Sequence, residues 1–331
     1  MLAFRNCYGL PRIAGFWWQP GRIGCARSFS ASSRTRSAAG ASNPTEYCKD
    51  LVRKHDYEGF LTSQFYPRQL QPGYYALRAF YIELAMVKEA VSQTTLGQAR
   101  LVFWRDAIKD IFDVSEEIGN KPPRHPIALA LYEATQRSRL APYHFQRIIE
   151  AREQELHSQT HMTVESATSH AESTASTFLY ILLSLLNLPS ATLSHSASHL
   201  GVAQSFTTLL RALPFHASKG VMVIPAEITA KHGVNQQQVF TKAEPSKALE
   251  DAVFEFATIA NDNLITAREM FKETGGQVPQ EAMPIFTSAV PVVSILRRLE
   301  AVNFNVYDPS LQVRDWKLPW QVWRSYYKRS F

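Results

Sequence analysis

Cysteine is scarce in this chain of 331 residues, with Cys7, Cys25 and Cys48 as the only three. Cys7 and Cys25 fall within an N-terminal segment that we expect to be removed, for reasons given below. A lone Cys48 can form neither an internal disulfide nor a cysteine-based zinc site. The scarcity therefore excludes a disulfide-stabilised fold and fits a reducing compartment.

Long apolar runs are absent as well. The longest nearly continuous one, FLYILLSLLNL, covers the 11 residues from Phe178 to Leu188. A helix that spans a bilayer needs about 20 apolar residues. The run is therefore too short to cross a membrane, and we expect it to form a buried core helix.

Acidic residues are missing from the first 45 positions, which contain six arginines and no lysine. An Arg-rich, Ser-rich and acid-free start is typical of a mitochondrial transit peptide. The stretch ARSFSASS resembles a processing site and predicts cleavage near Phe29 or Ser30. We therefore interpret residues 1–42 as a transit peptide with a disordered lead-in. A disordered basic tail is the alternative.

Strong basicity disappears once this segment is set aside. Without its six arginines the chain has 29 basic residues, equal to its 29 acidic residues. Nucleic-acid-binding domains are generally basic on at least one face. The near-neutral remainder gives no support for nucleic acid as a partner.

Runs that alternate apolar and polar residues are too short to indicate a sheet. A spacing of 3.6 residues instead predicts a single all-α domain over residues 43–331, with an aromatic and basic tail from about 309 to 331. Asn43, Pro44 and Glu46 are typical of a helix start. Helices are expected near 44–56, 73–92, 95–113, 126–139, 142–159, 163–188, 191–213, 245–273, 280–303 and 320–329.

Two of these helices carry a resemblance to a known family. They read PGYYALRAFYIELAMVKEAVS (residues 72–92) and HLGVAQSFTTLLRALPFHASKGVMVIP (residues 199–225). Together they resemble the squalene/phytoene synthase family of isoprenoid enzymes. The matching residues are Tyr75, Ala76, Leu77, Ala79 and Phe80 in the first helix, and Leu200, Gly201, Ala203, Thr207, Leu210, Arg211, Gly220 and Pro225 in the second. The resemblance spans roughly residues 50 to 300 and implies an isoprenoid synthase-type helical fold.

The resemblance also implies a metal site that this chain has lost. In the family, aspartates at positions i and i+4 of both helices hold Mg²⁺, which neutralises the leaving diphosphate. Here those four positions are Ala85, Glu89, Ala212 and His216. Glu83 cannot substitute, because six residues place it about 240° around the helix from Glu89. We therefore predict no prenyl transfer, no metal and no cofactor.

One branch of the family lacks the aspartates in the same way, namely the mitochondrial complex I assembly factors. The segments QARLVFWRDAIKDIF and HLGVAQSFTTLLRALPFHASKG resemble that branch, including Leu-Arg-Ala in place of Leu-Arg-Asp. This resemblance implies a non-catalytic protein on the matrix side of the inner membrane. Its partners would be complex I subunits or assembly intermediates, early in assembly of the membrane part.

Two alternatives remain open at the level of sequence. The chain could retain isoprenoid diphosphate transferase activity through a rearranged metal site, or bind a prenyl lipid or quinone without catalysis. The small residues between Glu165 and Tyr180 are compatible with an apolar cavity that outlived the metal site. A vestigial cleft would then be lined by Tyr75, Phe80, Met86, Glu89, Thr208 and Arg211.

The C-terminal tail interleaves aromatic and basic residues. Its predicted membrane-surface contacts are Trp316, Trp320, Trp323, Arg324, Tyr327 and Lys328. Such a composition suits the anionic surface of a membrane. A terminal helix docked on the core of its own domain is the alternative.

Two histidine pairs are spaced one helical turn apart, His157 with His161 and His195 with His199. That spacing can bind zinc, but neither pair has a third ligand nearby in sequence. We interpret all four as exposed helix histidines. The sequence also lacks a Gly-rich phosphate loop and a recognisable Ser-His-Asp signature.

Overall fold

The computed structural model describes residues 43–91, 93–113, 124–158 and 160–331. The predicted transit peptide, its cleavage site and the lead-in to residue 42 lie outside the described residues.

The described residues are helical and contain no β-strand, which confirms the predicted all-α class. Their helices are α1 Pro44–His55, α2 Tyr57–Thr62, α3 Gln71–Ala90, α4 Thr94–Phe112, α5 Pro126–Arg137, α6 Pro142–His157, α7 Val164–Ala171, α8 Thr177–Leu185, α9 Ala191–Ser218, α10 Ala226–Lys231, α11 Gln236–Lys242, α12 Lys247–Glu269, α13 Met283–Phe286, α14 Ala289–Ala301, α15 Pro309–Gln312 and α16 Leu318–Lys328. Two 3₁₀ turns, Ser63–Phe65 and Lys272–Thr274, and one π-helical turn, Glu172–Ser176, complete the regular structure.

Most predicted helices occur where the 3.6-residue spacing placed them. The start of α1 follows the sequence signal, since the Asn43 side chain accepts a hydrogen bond from the Thr45 amide at 3.1 Å and Pro44 is the first helical residue. The short helices α2, α10, α11 and α15 were not predicted. They have four to seven residues each, too few for a periodic pattern to emerge.

Three predicted helices differ in detail from those observed. The helix expected over 163–188 is α7 and α8 joined by the π turn. The helix expected over 280–303 is divided into α13 and α14. The prediction was wrong to end α9 before Pro214, because the helix continues to Ser218. A proline inside a helix removes one backbone hydrogen bond, and packing along the rest of this long helix compensates for that loss.

Helix α9 runs through the middle of the fold and contacts α12, α8, α14 and the π turn. One buried cluster lies mainly on α3, α4, α5, α6 and α8, and a second lies mainly on α9 and α12. The predicted core helix belongs to the first cluster, with Phe178, Leu179 and Leu182 almost fully buried. Within the described residues, no helix combines the length and apolarity that a membrane span needs.

Two elements approach each other closely where α9 meets the π turn. A Cβ atom placed on Gly201 would lie 2.4 Å from the Ser176 backbone nitrogen. Ser176 Oγ also donates a 2.6 Å hydrogen bond to the Ser198 carbonyl. Only a residue without a side chain permits this spacing, so Gly201 fixes the distance between the two helices.

The C-terminal helix α16 is docked on the domain by one of its faces. Leu318 and Val322 form a small cluster with Val290. Beyond the helix, Arg329 and Val278 exchange two hydrogen bonds of 2.9 Å through the Arg329 carbonyl and Nε. The Phe331 ring stacks on Phe286 at 5.5 Å, and Phe331 accepts a 2.6 Å hydrogen bond from Arg268 Nε. The tail is therefore part of the folded domain.

We expect Gly201→Ala to lower the free energy of unfolding by about 1–3 kcal/mol, because the new methyl group meets rigid backbone at the π turn. Urea denaturation followed by circular dichroism measures the loss. The matched control is Gly97→Ala on α4, where the nearest atoms to the new methyl group would be side-chain methyl groups of Leu156 and Val91. Equal stability of the two variants would contradict the close-packing argument.

Candidate functional site

The four degenerate metal positions lie on α3 and α9, near the ends of the two helices. Ala85 and Glu89 are exposed on α3, whereas Ala212 and His216 are half-buried on α9. Lys219 Nζ lies 3.9 Å from Glu89 Oε2 and links the two ends. His216 is within electrostatic range of Glu89, although burial has the larger effect and lowers the pKa of the imidazole. The structure thus brings Glu89 and His216 to one cleft, which we call the α3–α9 cleft.

The groups in the α3–α9 cleft do not fit a magnesium cluster. Two of the four positions are alanines with no ligand atom, and Glu89 faces the ammonium of Lys219. Mg²⁺ prefers several oxygen ligands, and imidazole is a poor partner for it. Over the described residues, no three His, Cys, Asp or Glu side chains are grouped so that they could hold a metal ion.

Basic side chains surround a second carboxylate at the same cleft, Glu155 on α6. Arg152 NH1 lies 2.7 Å from one Glu155 oxygen, and Lys88 Nζ lies 3.6 Å from the other. His170 Nε2 is also 3.6 Å away, outside hydrogen-bond distance. We call these four residues the Glu155 cluster. It contains two permanent cations and one carboxylate, so it carries no spare negative charge for a metal.

The pKa values at this cluster follow from its charges. Burial alone would raise the pKa of Glu155, but Arg152, with His170 and Lys88 adding to its effect, holds it well below the ordinary 4.5. For His216, burial lowers the pKa, Glu89 opposes that shift and Lys88 reinforces it. At neutral pH Glu155 is therefore ionised and His216 is uncharged.

An aromatic pair with a guanidinium on each side lies next to the cluster. The rings of Tyr81 on α3 and Phe178 on α8 are 4.6 Å apart. Arg152 lies 5.6 Å from the Tyr81 ring centroid, and Arg78 lies 5.0 Å from that of Phe178. Arg78 is also paired with Asp56 at the start of α2. Cation–π contacts and ion pairs therefore occupy the space between α3, α6 and α8.

Arg211, which matches the family pattern, is neutralised within the chain. Its NH1 lies 2.5 Å from Glu58 Oε1 on α2. The neighbouring Thr208 is exposed, and its hydroxyl donates to the Gln204 carbonyl of the same helix at 2.7 Å. Among the described residues, no hydrogen bond joins Arg211 or Thr208 to Glu89.

The other predicted cleft residues are distributed between the cleft and the core. The Tyr75 hydroxyl is buried 2.8 Å from Ser63 Oγ. Phe80 packs against Trp104 and Phe145, with ring centroids 5.3 and 5.5 Å away, on the side of α3 that faces α4 and α6. Met86 is half-buried against the core. The structure therefore does not bring Tyr75 and Phe80 together with Glu89.

The histidine pairs separate into different environments. His157 is the last residue of α6, whereas His161 lies beyond the helix with its ring 5.2 Å from that of His170. His195 and His199 do share α9, with rings 5.0 Å apart, and His199 Nδ1 lies 2.9 Å from Asn263 Oδ1. Neither pair gains a third ligand in the described part of the chain.

The face of α16 that is turned away from the core is aromatic and basic. Exposed fractions are 81% for Trp316, 58% for Trp320, 51% for Trp323 and 64% for Tyr327. Arg324 covers the Trp320 ring at 5.4 Å, and the Trp323 and Tyr327 rings are 4.9 Å apart. One face of the helix therefore docks on the domain, and the other presents aromatic rings to solvent, while contact with a membrane stays a prediction.

The Glu155 cluster was missed by the sequence analysis. Arg152 and Glu155 are three residues apart, a spacing that usually marks an exposed helix pair. Lys88 lies directly before Glu89, in a motif whose family pattern concerns only acidic positions. His170 lies within a run of small residues that was interpreted as a cavity wall. No local signal shows that these three segments meet.

The sequence model of the family described as "Squalene/phytoene synthase" matches residues 52–324. Three curated relatives carry the name "NADH dehydrogenase (ubiquinone) complex I, assembly factor 6", the third as a homolog. The protein of Rattus norvegicus is 36% identical over 305 residues, covering 89% of this chain and 88% of the relative. The Homo sapiens protein is 35% identical, covering 88% and 87%. The Drosophila melanogaster homolog is 31% identical, covering 86% and 84%.

Solved structures of the same fold include two enzymes of isoprenoid synthesis. A dehydrosqualene synthase superposes with a TM-score of 0.73 at 17% identity, covering 86% of this chain and 96% of the other. Squalene synthase HpnC from Alicyclobacillus acidocaldarius gives a TM-score of 0.67 at 16% identity, covering 79% and 95%. These similarities confirm the predicted isoprenoid synthase-type fold and carry no evidence of activity.

We expect Arg152→Met to lower the free energy of unfolding by about 2–4 kcal/mol at pH 7, because the half-buried Glu155 loses its nearest cation and keeps only the more distant Lys88. The reference is Arg53→Met, since the Arg53–Asp50 pair is 64% exposed on both sides and such pairs contribute at most about 1 kcal/mol. Denaturant unfolding of the two variants gives the comparison. Similar small losses in both would mean that the Glu155 cluster does not stabilise the fold.

The same comparison has a defined pH dependence. A carboxylate whose pKa is lower in the folded state than in the unfolded state stabilises the fold at pH values above its ordinary pKa. This stabilisation is lost as the pH falls through the folded-state pKa. Glu155 has an ordinary pKa of 4.5 and a folded pKa well below it. The stability difference between wild type and Arg152→Met should therefore shrink as pH falls below 4.5. A difference that stays constant down to the pH of acid unfolding would contradict the assignment to Glu155.

Proposed function

The chain belongs to the squalene/phytoene synthase family, and from this premise we propose that it is a non-catalytic assembly factor of mitochondrial respiratory complex I. The curated relatives named as complex I assembly factors support this role, because they align along most of the chain. Its partners would be complex I subunits or assembly intermediates. We further propose that it acts early, on the membrane-embedded part of the complex, as the sequence resemblance implies.

The donor set of the α3–α9 cleft is the observation that carries the proposal. Diphosphate departure in this family needs Mg²⁺ held by carboxylates from two facing helices. In this chain only Glu89 remains of four carboxylates, and Lys219 lies opposite it. Lys88 and Arg152 add permanent positive charge close by. Binding a divalent cation here would place it among like charges, which is unfavourable.

The charges in the cleft also argue against the two enzyme-like alternatives. A residual transferase would have to use Glu89 as its last acidic ligand. A prenyl or quinone tail would have to lie against the guanidinium groups of Arg78 and Arg152, which flank the Tyr81–Phe178 pair. An apolar chain gains no favourable free energy from such contacts. The charged groups beside it would lose water, and they tolerate that loss only while they remain paired. The cleft is better suited to stabilise the fold than to hold a hydrocarbon.

We place the protein on the matrix side of the inner membrane, peripherally attached. The Arg-rich, acid-free first 45 residues support import into mitochondria. The exposed aromatic face of α16 supports contact with a membrane surface, since Trp and Tyr favour the interface and basic residues favour anionic lipids. Arg324, which covers the Trp320 ring, and the exposed Lys328 after Tyr327 supply that charge.

A gene-deletion experiment tests the proposed role. We expect mitochondria that lack the protein to show selective loss of mature complex I on native gels stained for NADH dehydrogenase activity. Re-expression of Glu89→Ala should restore complex I as fully as wild type. Loss of the exposed Glu89–Lys219 pair should cost at most about 1 kcal/mol of stability, so the variant should accumulate normally.

The matched control is Glu83→Ala, which changes a carboxylate of the same helix that faces elsewhere. If both variants accumulate equally and only Glu89→Ala fails to restore complex I, the last acid of the motif has a chemical role and the non-catalytic assignment is wrong. Normal complex I in the deletion strain would remove the assembly role altogether.

A second experiment tests the membrane contact of α16. We expect the double variant Trp320→Ser/Trp323→Ser to bind vesicles of phosphatidylcholine and cardiolipin at least about tenfold more weakly than wild type, as two interfacial tryptophans are lost. Sedimentation with the vesicles measures binding. The variant should remain folded, because the buried side of α16 is formed by Leu318 and Val322.

The control for this experiment is Tyr143→Ser, which removes an aromatic ring that is 61% exposed and lies outside the tail. Its binding should equal that of wild type. Full binding by the tryptophan variant would show that α16 is not the membrane contact.

A further inference from the structure

A second recess lies at one end of the helical domain and shares no lining residue with the α3–α9 cleft. It is bounded by the segment after α5, the first turn of α6, the end of α8 and the start of α9. Its cavity volume is about 340 Å³, at the lower end of the range for small-molecule sites. We call it the α6–α8 pocket. Nothing in the proposed assembly role makes use of it.

The walls of the pocket are mainly apolar, with one cation at the rim. Leu183, Leu188 and Pro189 contribute hydrocarbon surface. Arg139 is exposed, and no aspartate or glutamate is among the described residues that line the pocket. The described part of the chain offers Arg139 no ion pair. Its guanidinium is therefore open to solvent, and its planar donors can meet a ligand at the rim.

A buried ring nitrogen lies in the same wall. The His144 imidazole stands between Tyr143 and Tyr180, with ring centroids 5.6 and 5.9 Å away. Its Nδ1 is inaccessible to bulk solvent and has no hydrogen-bond partner among the described residues. A buried polar atom without a partner costs free energy. Since solvent does not reach this atom, it does not open into the pocket, and His144 contributes an aromatic surface to the wall beside Tyr180.

We propose that the α6–α8 pocket binds a small oxyanion, a carboxylate or phosphate, that is attached to a compact apolar body. The oxyanion pairs with the Arg139 guanidinium, whose planar donors match both groups. The apolar body contacts Leu183 and Leu188. The rings of His144 and Tyr180 line the wall beside that body.

Isothermal titration calorimetry on the purified full chain tests the proposal with three probes of similar size: benzoate, phenyl phosphate and the neutral benzamide. We expect one or both anions to bind and benzamide to bind at least about tenfold more weakly, as for loss of one charge-assisted hydrogen bond. Whichever anion binds more tightly identifies the oxyanion. Equal binding of benzamide would overturn the assignment of an anion site.

Two variants locate the binding. Arg139→Ala should weaken anion binding by at least about tenfold, whereas Arg137→Ala, an exposed arginine outside the pocket, should leave it unchanged. Ser184→Leu fills part of the cavity and should abolish binding with Arg139 still in place. The Ser184 hydroxyl bonds only to the Tyr180 carbonyl of its own helix, so the fold should persist, which thermal unfolding can verify.

The proposal is overturned if neither anion binds, or if Arg139→Ala and Ser184→Leu both bind like wild type. These outcomes are separate from the assembly role, because complex I levels on native gels do not enter the measurement.

Discussion

The fold depends on how closely α9 approaches the π turn that joins α7 to α8. With Gly201 set against the backbone of Ser176, the long helix has little freedom to slide or rotate. That contact determines which face of α9 looks towards α3 at its far end. The positions of Arg211, Ala212 and His216 follow from it, as does the pairing of Lys219 with Glu89. A backbone contact thus sets the geometry of a fold that this chain shares with squalene/phytoene synthases.

The electrostatics of the cleft show how the fold tolerates that change. In a site with several carboxylates and metal ions, these groups balance each other's charges. In a site without them, the remaining charged side chains must be neutralised by other partners. Here the chain supplies its own counter-charges: Arg78 pairs with Asp56, Arg211 with Glu58 and Arg152 with Glu155. Each pair joins separate elements or successive turns of one helix. Together with the Lys88–Glu155 pair, these ion pairs connect α2, α3, α6 and α9.

The sequence predicted the helical class and most helix positions, because these depend on local spacing, whereas the loss of the metal ligands stays a prediction. The π turn at Glu172–Ser176 could not be predicted, since it arises from close packing between helices distant in sequence. The continuation of α9 past Pro214 and the Glu155 cluster depend on the same kind of contact. The sequence left two alternatives for the tail, and the structure shows that α16 has a docked face and an exposed face.

The central claim is that the α3–α9 cleft does not bind a divalent metal, and Mn²⁺ binding tests it most directly. Electron paramagnetic resonance of the purified chain, titrated with Mn²⁺ in the presence of inorganic diphosphate, separates free from protein-bound ion. The account predicts that the signal matches a protein-free sample with the same diphosphate, for wild type and for Glu89→Ala alike. A bound signal in wild type that disappears in Glu89→Ala would contradict it and would restore metal-dependent chemistry to this cleft.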